Sequence, residues 1–432
     1  MNKRIFKLAI PNIISNITIP LLGMVDTALM GHMDSLIYVG AIALGSMIFN
    51  FLYWGFGFLR MGTVGFTGQA KGANNQKEIS NILYRSVILA LIGASVIIFI
   101  HPYIIDIGLG FTTSSEAIKI EARNYFMIRI WALPASLIIL SMSGWFIGMQ
   151  NTIYPMVVSI FSNIVNIILS YIFVFKFNMN ADGVAYGTVL AQYLALLIAI
   201  SLYLYKYKRY MVKVVWNEIF NSKLKDLLHV NKDIFIRTLG IIFVLSFFTI
   251  KSANIDDTTL SVNTVLFQFF IFFSYMLDGF ANAGEALSSE AIGLNNKRLL
   301  KSIIYRTFLI GFVFSLIFTI SYYVAGGKIL EILTDNEVIL QAARPLLYWV
   351  IAVPLISFPA FILDGIFIGA AASKAMRNTM VMATVLVFVP IVYSEFYTPI
   401  TRLWIAFLLF MLARGVFLMF SIKTSIYAKF NS

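Results

Sequence analysis

Residues 68–75 read GQAKGANN, and 221 positions later residues 289–296 read SEAIGLNN. The octapeptides share Ala70 with Ala291, Gly72 with Gly293, and the pair Asn74 and Asn75 with Asn295 and Asn296. The same offset lays Tyr84 and Arg85 on Tyr305 and Arg306, Glu116 on Glu337, Ala122 and Arg123 on Ala343 and Arg344, and Gly148 on Gly369. Single coincidences are cheap, but one register serving several distant loops indicates a duplication.

What lies between the matched loops sets the class. The chain has 432 residues, of which 60% are hydrophobic and 12% charged, with a mean hydropathy of +0.86. A soluble domain carries about a quarter charged residues. Apolar stretches long enough to cross a hydrocarbon layer roughly 30 Å thick recur between clusters of charge. They predict an all-α integral membrane protein of twelve spans, in two homologous six-helix lobes. The expected boundaries are 1–205 for the first lobe, 206–233 for a cytoplasmic linker that is partly an amphipathic helix, and 234–432 for the second lobe. Six spans per half bring the second half in from the same side as the first, so the repeats are parallel, and rocking of one half against the other gives alternating access.

The formal net charge of +12 raises nucleic acid as a partner, but the distribution of the charge argues against it. Assigning connections alternately to two sides puts about two thirds of the Lys and Arg on the side of both termini, which orients the termini toward the cytoplasm. Nucleic acid is excluded as a partner because the basic residues are spread over short loops without a binding motif. Cysteine is absent, which rules out a disulfide framework and a thiolate metal site. The opening MNKRIFKLAIPN has a basic stretch like a signal peptide, yet no small-residue cleavage site follows, and the segment is expected to be retained as the first span.

Polar residues inside the spans mark the candidate site. In PLLGMVDTALMGHM, residues 20–33, Asp26 interrupts an apolar run. A charge there costs at least about 2.5 kcal/mol, so it reads as functional. Asn12, Asn16, Gly23, Asp26 and Thr27 share one face of the first helix, and Pro20 removes a backbone donor and kinks that helix ahead of Asp26. On the fifth helix Asn163, Asn166 and Ser170 form a second stripe. Asp26, Ser170 and, on the sixth helix, Thr188 each lie six residues from a polar marker on the outer side, hence at a common depth of about 9 Å. A carboxylate in such surroundings can exchange a proton, since desolvation and hydrogen bonding pull its affinity in opposite directions.

These residues and their surroundings resemble the multidrug and toxic compound extrusion (MATE) family, in particular its DinF-like branch. The likeness rests on PLLGMVDTALMGHMDS in the first helix, FLRMGTVGFTGQAKGANN closing the second, MLDGF and EAL in the eighth, and LDGIFIGA followed by MRN around the tenth. The resemblance implies two six-helix lobes in a V shape and export of hydrophobic, often cationic small molecules in exchange for H+ or Na+. It implies no cofactor beyond that coupling ion. It also implies a coupling network of Asp26, Asn166 and Thr188. Where the family usually has an Asp four residues after the fifth-helix Asn, NIILS places Ser170, so this chain keeps one acid and proton coupling is the expected choice. The chain is expected to act as a monomer in the lipid bilayer of the cell inner (plasma) membrane.

Further charges lie within spans: Arg60 on the second helix, Asp278 and Glu285 on the eighth, and Asp364 on the tenth. They are expected to be lobe-interface charges, with Arg60 meeting an eighth-helix carboxylate. Two other readings compete. A lipid-linked oligosaccharide flippase should line its cavity with several cations to hold a pyrophosphate. A membrane-embedded enzyme should show a nucleophile with a base, but His32, His101 and His229 are scattered near helix ends, no HExxH or Walker A pattern occurs, and no metal site is expected.

Overall fold

The computed structural model describes residues 1–31 and 35–430, with the side chains at 19–30 outside the described set. Among the described residues the chain forms twelve long helices and no strand. They are α1 Asn2–Gly31, α2 Leu36–Gly72, α3 Gln76–Gly110, α4 Glu116–Gly148, α5 Ile153–Lys176, α6 Asn180–Tyr210, α7 Ser222–Ala253, α8 Asp257–Gly293, α9 Lys297–Leu333, α10 Glu337–Gly369, α11 Ser373–Val392 and α12 Pro399–Phe430. Helices α2–α12 all carry windows long and apolar enough to cross a bilayer. The chain is a multi-pass membrane protein. Several helices outrun the bilayer: α8 and α9 have 37 residues each, about 55 Å at 1.5 Å per residue. Their ends are set by capping residues, so apolar length alone underestimates them.

The GQAKGANN turn shows how such an end is made. The amide of Asn75 donates to the carbonyl of Ala70 at 2.9 Å and that of Asn74 to Lys71 at 3.0 Å, which closes the last turn of α2 as a Schellman motif. Asn74 holds φ 53°, a left-handed value that Asn tolerates better than other residues with a Cβ. The Asn75 side chain then accepts from the amide of Glu78 and starts α3. Every step recurs one repeat later: Asn296 donates to Ala291, Asn295 has φ 50°, and the Asn296 side chain accepts from Leu299. A second pair of left-handed residues, Gln150 at φ 60° and Ala371 at φ 48°, keeps the same spacing.

Helix packing repeats too. A Cβ on Gly144 of α4 would lie 2.4 Å from the carbonyl oxygen of Arg60 on α2, and one on Gly365 of α10 would lie 2.2 Å from that of Ala281 on α8. These glycines let the backbones touch, the use of small residues expected where helices meet in lipid. The glycine pairs recur in GWFIG (144–148) and GIFIG (365–369).

The chain divides into two compact units, Ile14–Leu228 and Met1–Ile13 with His229–Ser432. Residues expected to form one linker are shared out. After α6 the chain runs without a helix to Trp216–Ile219, a short helix, and α7 starts at Ser222. The charged stretch 222–233 therefore extends α7 and is no separate amphipathic helix. The part before it is fastened to α3. Arg85, 1% exposed, donates to the carbonyls of Ile219 at 3.0 Å and Glu218 at 2.6 Å, to Asn221 Oδ1 at 3.3 Å and to Glu78 at 2.7 Å. Lys77 reaches Glu218 at 2.6 Å and Tyr84 donates to the Val212 carbonyl at 3.1 Å. Each nitrogen of the buried guanidinium has an acceptor, the condition under which a buried charge is tolerated.

Candidate functional site

In the first unit polar residues tie α5 to α1 at one point and α2, α4, α5 and α6 to one another at a second. Asn163 on α5 donates to Thr18 Oγ1 on α1 at 3.0 Å. One turn on, Asn166 donates to Thr188 Oγ1 on α6 at 2.9 Å, and the Thr188 hydroxyl donates back to the Val184 carbonyl at 2.9 Å. Asn166 and Thr188 are buried, so this amide and hydroxyl satisfy each other away from solvent, as buried polar groups must. Ser170 is fully buried, with no hydrogen-bond partner for its hydroxyl among the described residues. It lies against Gly187, the neighbour of Thr188: a Cβ on Gly187 would come within 2.8 Å of the Ser170 amide. Glycine at 187 brings α5 and α6 together at this level.

Asn166, Ser170 and Thr188 thus stand together in the structure. The side chains of Asp26 and Pro20 lie outside the described residues; the α1 backbone runs as one helix through both positions. Among the described residues no cluster of three or more His, Asp or Glu is placed to hold a metal ion.

One member of the network was not singled out from the sequence. Arg129 on α4 donates to the Tyr125 hydroxyl at 2.7 Å and to Thr188 Oγ1 at 3.4 Å. Its guanidinium lies 4.6 Å from the ring centroid of Phe49 on α2, and the Tyr125 hydroxyl is 2.9 Å from Ser46 Oγ. The available signal was an arginine within an apolar stretch, costly in lipid and so worth naming. Its rotation toward α6 could not be read from spacing.

The remaining charges sort by unit. Arg60 belongs to the first unit, Asp278, Glu285 and Asp364 to the second, and Arg60, Asp278 and Glu285 all have partners. Asp364 on α10 is 6% exposed and accepts from two arginines of its own unit, Arg237 on α7 and Arg414 on α12, the latter at 2.6 Å. Sequence reasoning missed both arginines. They come from helices more than a hundred residues and fifty residues distant from Asp364, respectively, which no local pattern connects.

Comparison with known proteins agrees with the repeat and the fold. The MatE family model matches twice, over residues 11–172 and 234–393, once in each half. DNA damage-inducible protein F of Escherichia coli (strain K12) is 35% identical over 96% of this chain and 90% of its own length. The probable multidrug resistance protein NorM of Thermotoga maritima is 22% identical over 80% of this chain and 75% of its own. A solved multidrug resistance MATE family transporter of the MOP superfamily, in an outward-facing conformation, superposes with a TM-score of 0.88 at 19% identity, covering 99% of this chain and 96% of that one. With the family model matching both halves and a relative of this similarity over nearly its whole length, the chain belongs to the MatE family, a family of transporters and not of enzymes.

Proposed function

We propose that the chain is a secondary active exporter of hydrophobic, often cationic small molecules, driven by exchange for a coupling cation, with Asp26 as the coupling carboxylate and alternating access between two lobes. The observation that carries this reading is the buried contact of Asn166 with Thr188, with Ser170 beside it, inside a chain whose relatives bear multidrug resistance names. Helices α5 and α6 meet there in a polar site that lipid cannot solvate, and Asp26 on α1 is the acid at the same sequence-derived depth. The proton is the proposed coupling ion, because Ser170 leaves a single acid and sodium favours several oxygen ligands with anionic members. The chain would work in the cell inner membrane as a monomer with both termini cytoplasmic and no cofactor. A lipid-linked oligosaccharide carrier is disfavoured by Asp364, which already engages Arg237 and Arg414 and so leaves those cations committed.

The test is uptake of fluorescent cations into proteoliposomes under an imposed proton gradient. Asp26→Asn should remain folded and in the membrane yet lose gradient-driven transport. Full coupled transport by that variant removes Asp26 from the mechanism, and no transport of any cation by the unmodified chain removes the exporter reading.

A further inference from the structure

Thr188 is the hydroxyl expected to contribute to a coupling-cation site, and its donor and one acceptor position are already used, with a guanidinium beside the other. A hydroxyl offers one donor and two acceptor lone pairs. The Thr188 donor goes to the Val184 carbonyl at 2.9 Å; its oxygen accepts from Asn166 at 2.9 Å and from Arg129 at 3.4 Å. The last contact is long for an N–H···O bond, so the weight of Arg129 lies in its charge. That charge is held firmly. Tyr125 accepts from the guanidinium at 2.7 Å, the Phe49 ring lies 4.6 Å and the Tyr125 ring 5.7 Å from its carbon, and a cation over an aromatic face is attracted to it. Among the described residues Arg129 has no carboxylate partner, and its Nε is buried without a hydrogen bond. The polar set of the first lobe therefore carries a fixed positive charge one hydroxyl away from Asn166.

We infer that Arg129 is the specificity-determining residue of the coupling site: its tethered guanidinium takes the place next to Thr188 that a metal cation would need, so the site exchanges protons and rejects sodium. This rests on the coupling site proposed above. A sodium ion there would compete with Asn166 for the Thr188 oxygen and would face a like charge across a medium of low dielectric. A proton needs neither a lone pair of Thr188 nor a multi-oxygen shell. Arg237 and Arg414 of the second lobe differ in kind, since each pairs with a carboxylate, Asp364.

Gain of function separates this role from a structural one. The unmodified chain, Arg129→Gln, Arg129→Met and Arg129→Lys are reconstituted, and export is driven by a proton gradient or by a sodium gradient at fixed pH. The unmodified chain and Arg129→Lys should show background rates with sodium. Removing the charge in Arg129→Gln or Arg129→Met should raise sodium-driven export about tenfold above background, the scale expected when one like charge is deleted nearby; damage to the fold cannot produce such a gain. Sodium-driven export by the unmodified chain overturns the inference, as does an Arg129→Gln or Arg129→Met protein that exports with protons and stays indifferent to sodium. Asp26→Asn, run in parallel, reports on the coupling site itself: full transport in that variant removes the underlying reading, whereas its loss together with a sodium-driven unmodified chain overturns the Arg129 inference alone.

Discussion

A single carboxylate holds two cations most tightly where all three are kept from water. Asp364 meets that condition, with Arg237 and Arg414 both on the same oxygen and all three side chains buried. Asp364→Asn takes away the carboxylate that two guanidinium groups share inside the second unit, and breaking a buried pair from one side costs about 3–5 kcal/mol. The variant should accumulate poorly and lose thermal stability in detergent. Adding Arg414→Met should recover part of the loss, because it removes one stranded charge. Equal stability of Asp364→Asn and the parent would mean that the cluster is solvated and that its charges are independent. What could be read at this scale without a structure was depth: counting residues placed Asp26, Ser170 and Thr188 at one level, and of these Ser170 packs on Gly187 beside Thr188, while the Asp26 side chain lies outside the described residues. Partnership across helices was not legible. Arg129, Arg237 and Arg414 were each visible as a cost in lipid, but what offsets that cost comes from other helices whose rotation the sequence pattern leaves open.

At the level of elements, caps and glycines did most of the specifying. Asn75 and Asn296 end one helix and start the next in both halves by the same bonds, and Gly144 and Gly365 let α4 and α10 rest on neighbouring backbones. The connection after α6 was harder to read, because its charges suggested a free amphipathic helix on the inner surface. Instead Arg85 collects its carbonyls and buries itself doing so. The hydrogen bond from Lys77 holds the Glu218 carboxyl below the usual carboxylate range. A depressed carboxyl stabilises the folded state above its unfolded value, and this contribution is lost as pH falls through the folded value. Docking of the short helix should therefore be constant near neutrality and weaken only in acid below about pH 4. Glu218→Gln imitates the protonated form at neutral pH and should modestly speed tryptic cleavage at Lys213, since an exposed pair contributes little. Arg85→Met should speed it far more. Cleavage rates that ignore both changes would show that neither contact holds the connection down.

For the whole molecule, the duplication was legible because it is written in the loops, and the family match recovers it once per half. The allegiance of the first residues was not. Apolar periodicity says that α1 is a helix, whereas contacts decide that Met1–Ile13 packs with His229–Ser432 while Ile14 onward packs with the first unit. Arg4 pairs with Glu290 at 2.6 Å, Asn2 accepts from Arg306 at 3.0 Å, and the Phe6 ring meets Phe280 edge-on at 5.7 Å. A Cβ on Gly279 would come within 3.0 Å of the Ala9 carbonyl oxygen, so the start of α1 lies directly on α8. If transport is a rocking of lobes, this start should travel with the second lobe. The natural absence of cysteine makes the test direct: Arg4→Cys with Glu290→Cys, joined by a short thiol-reactive cross-linker, ties the start of α1 to the end of α8. Cross-linked protein should still export at close to the rate of the uncross-linked double variant, because the tie lies within one moving body. A bond that forms readily but stops transport would mean that the first residues part from α8 during the cycle, and failure to form it at all would mean that Met1–Ile13 does not belong to the second unit in the membrane.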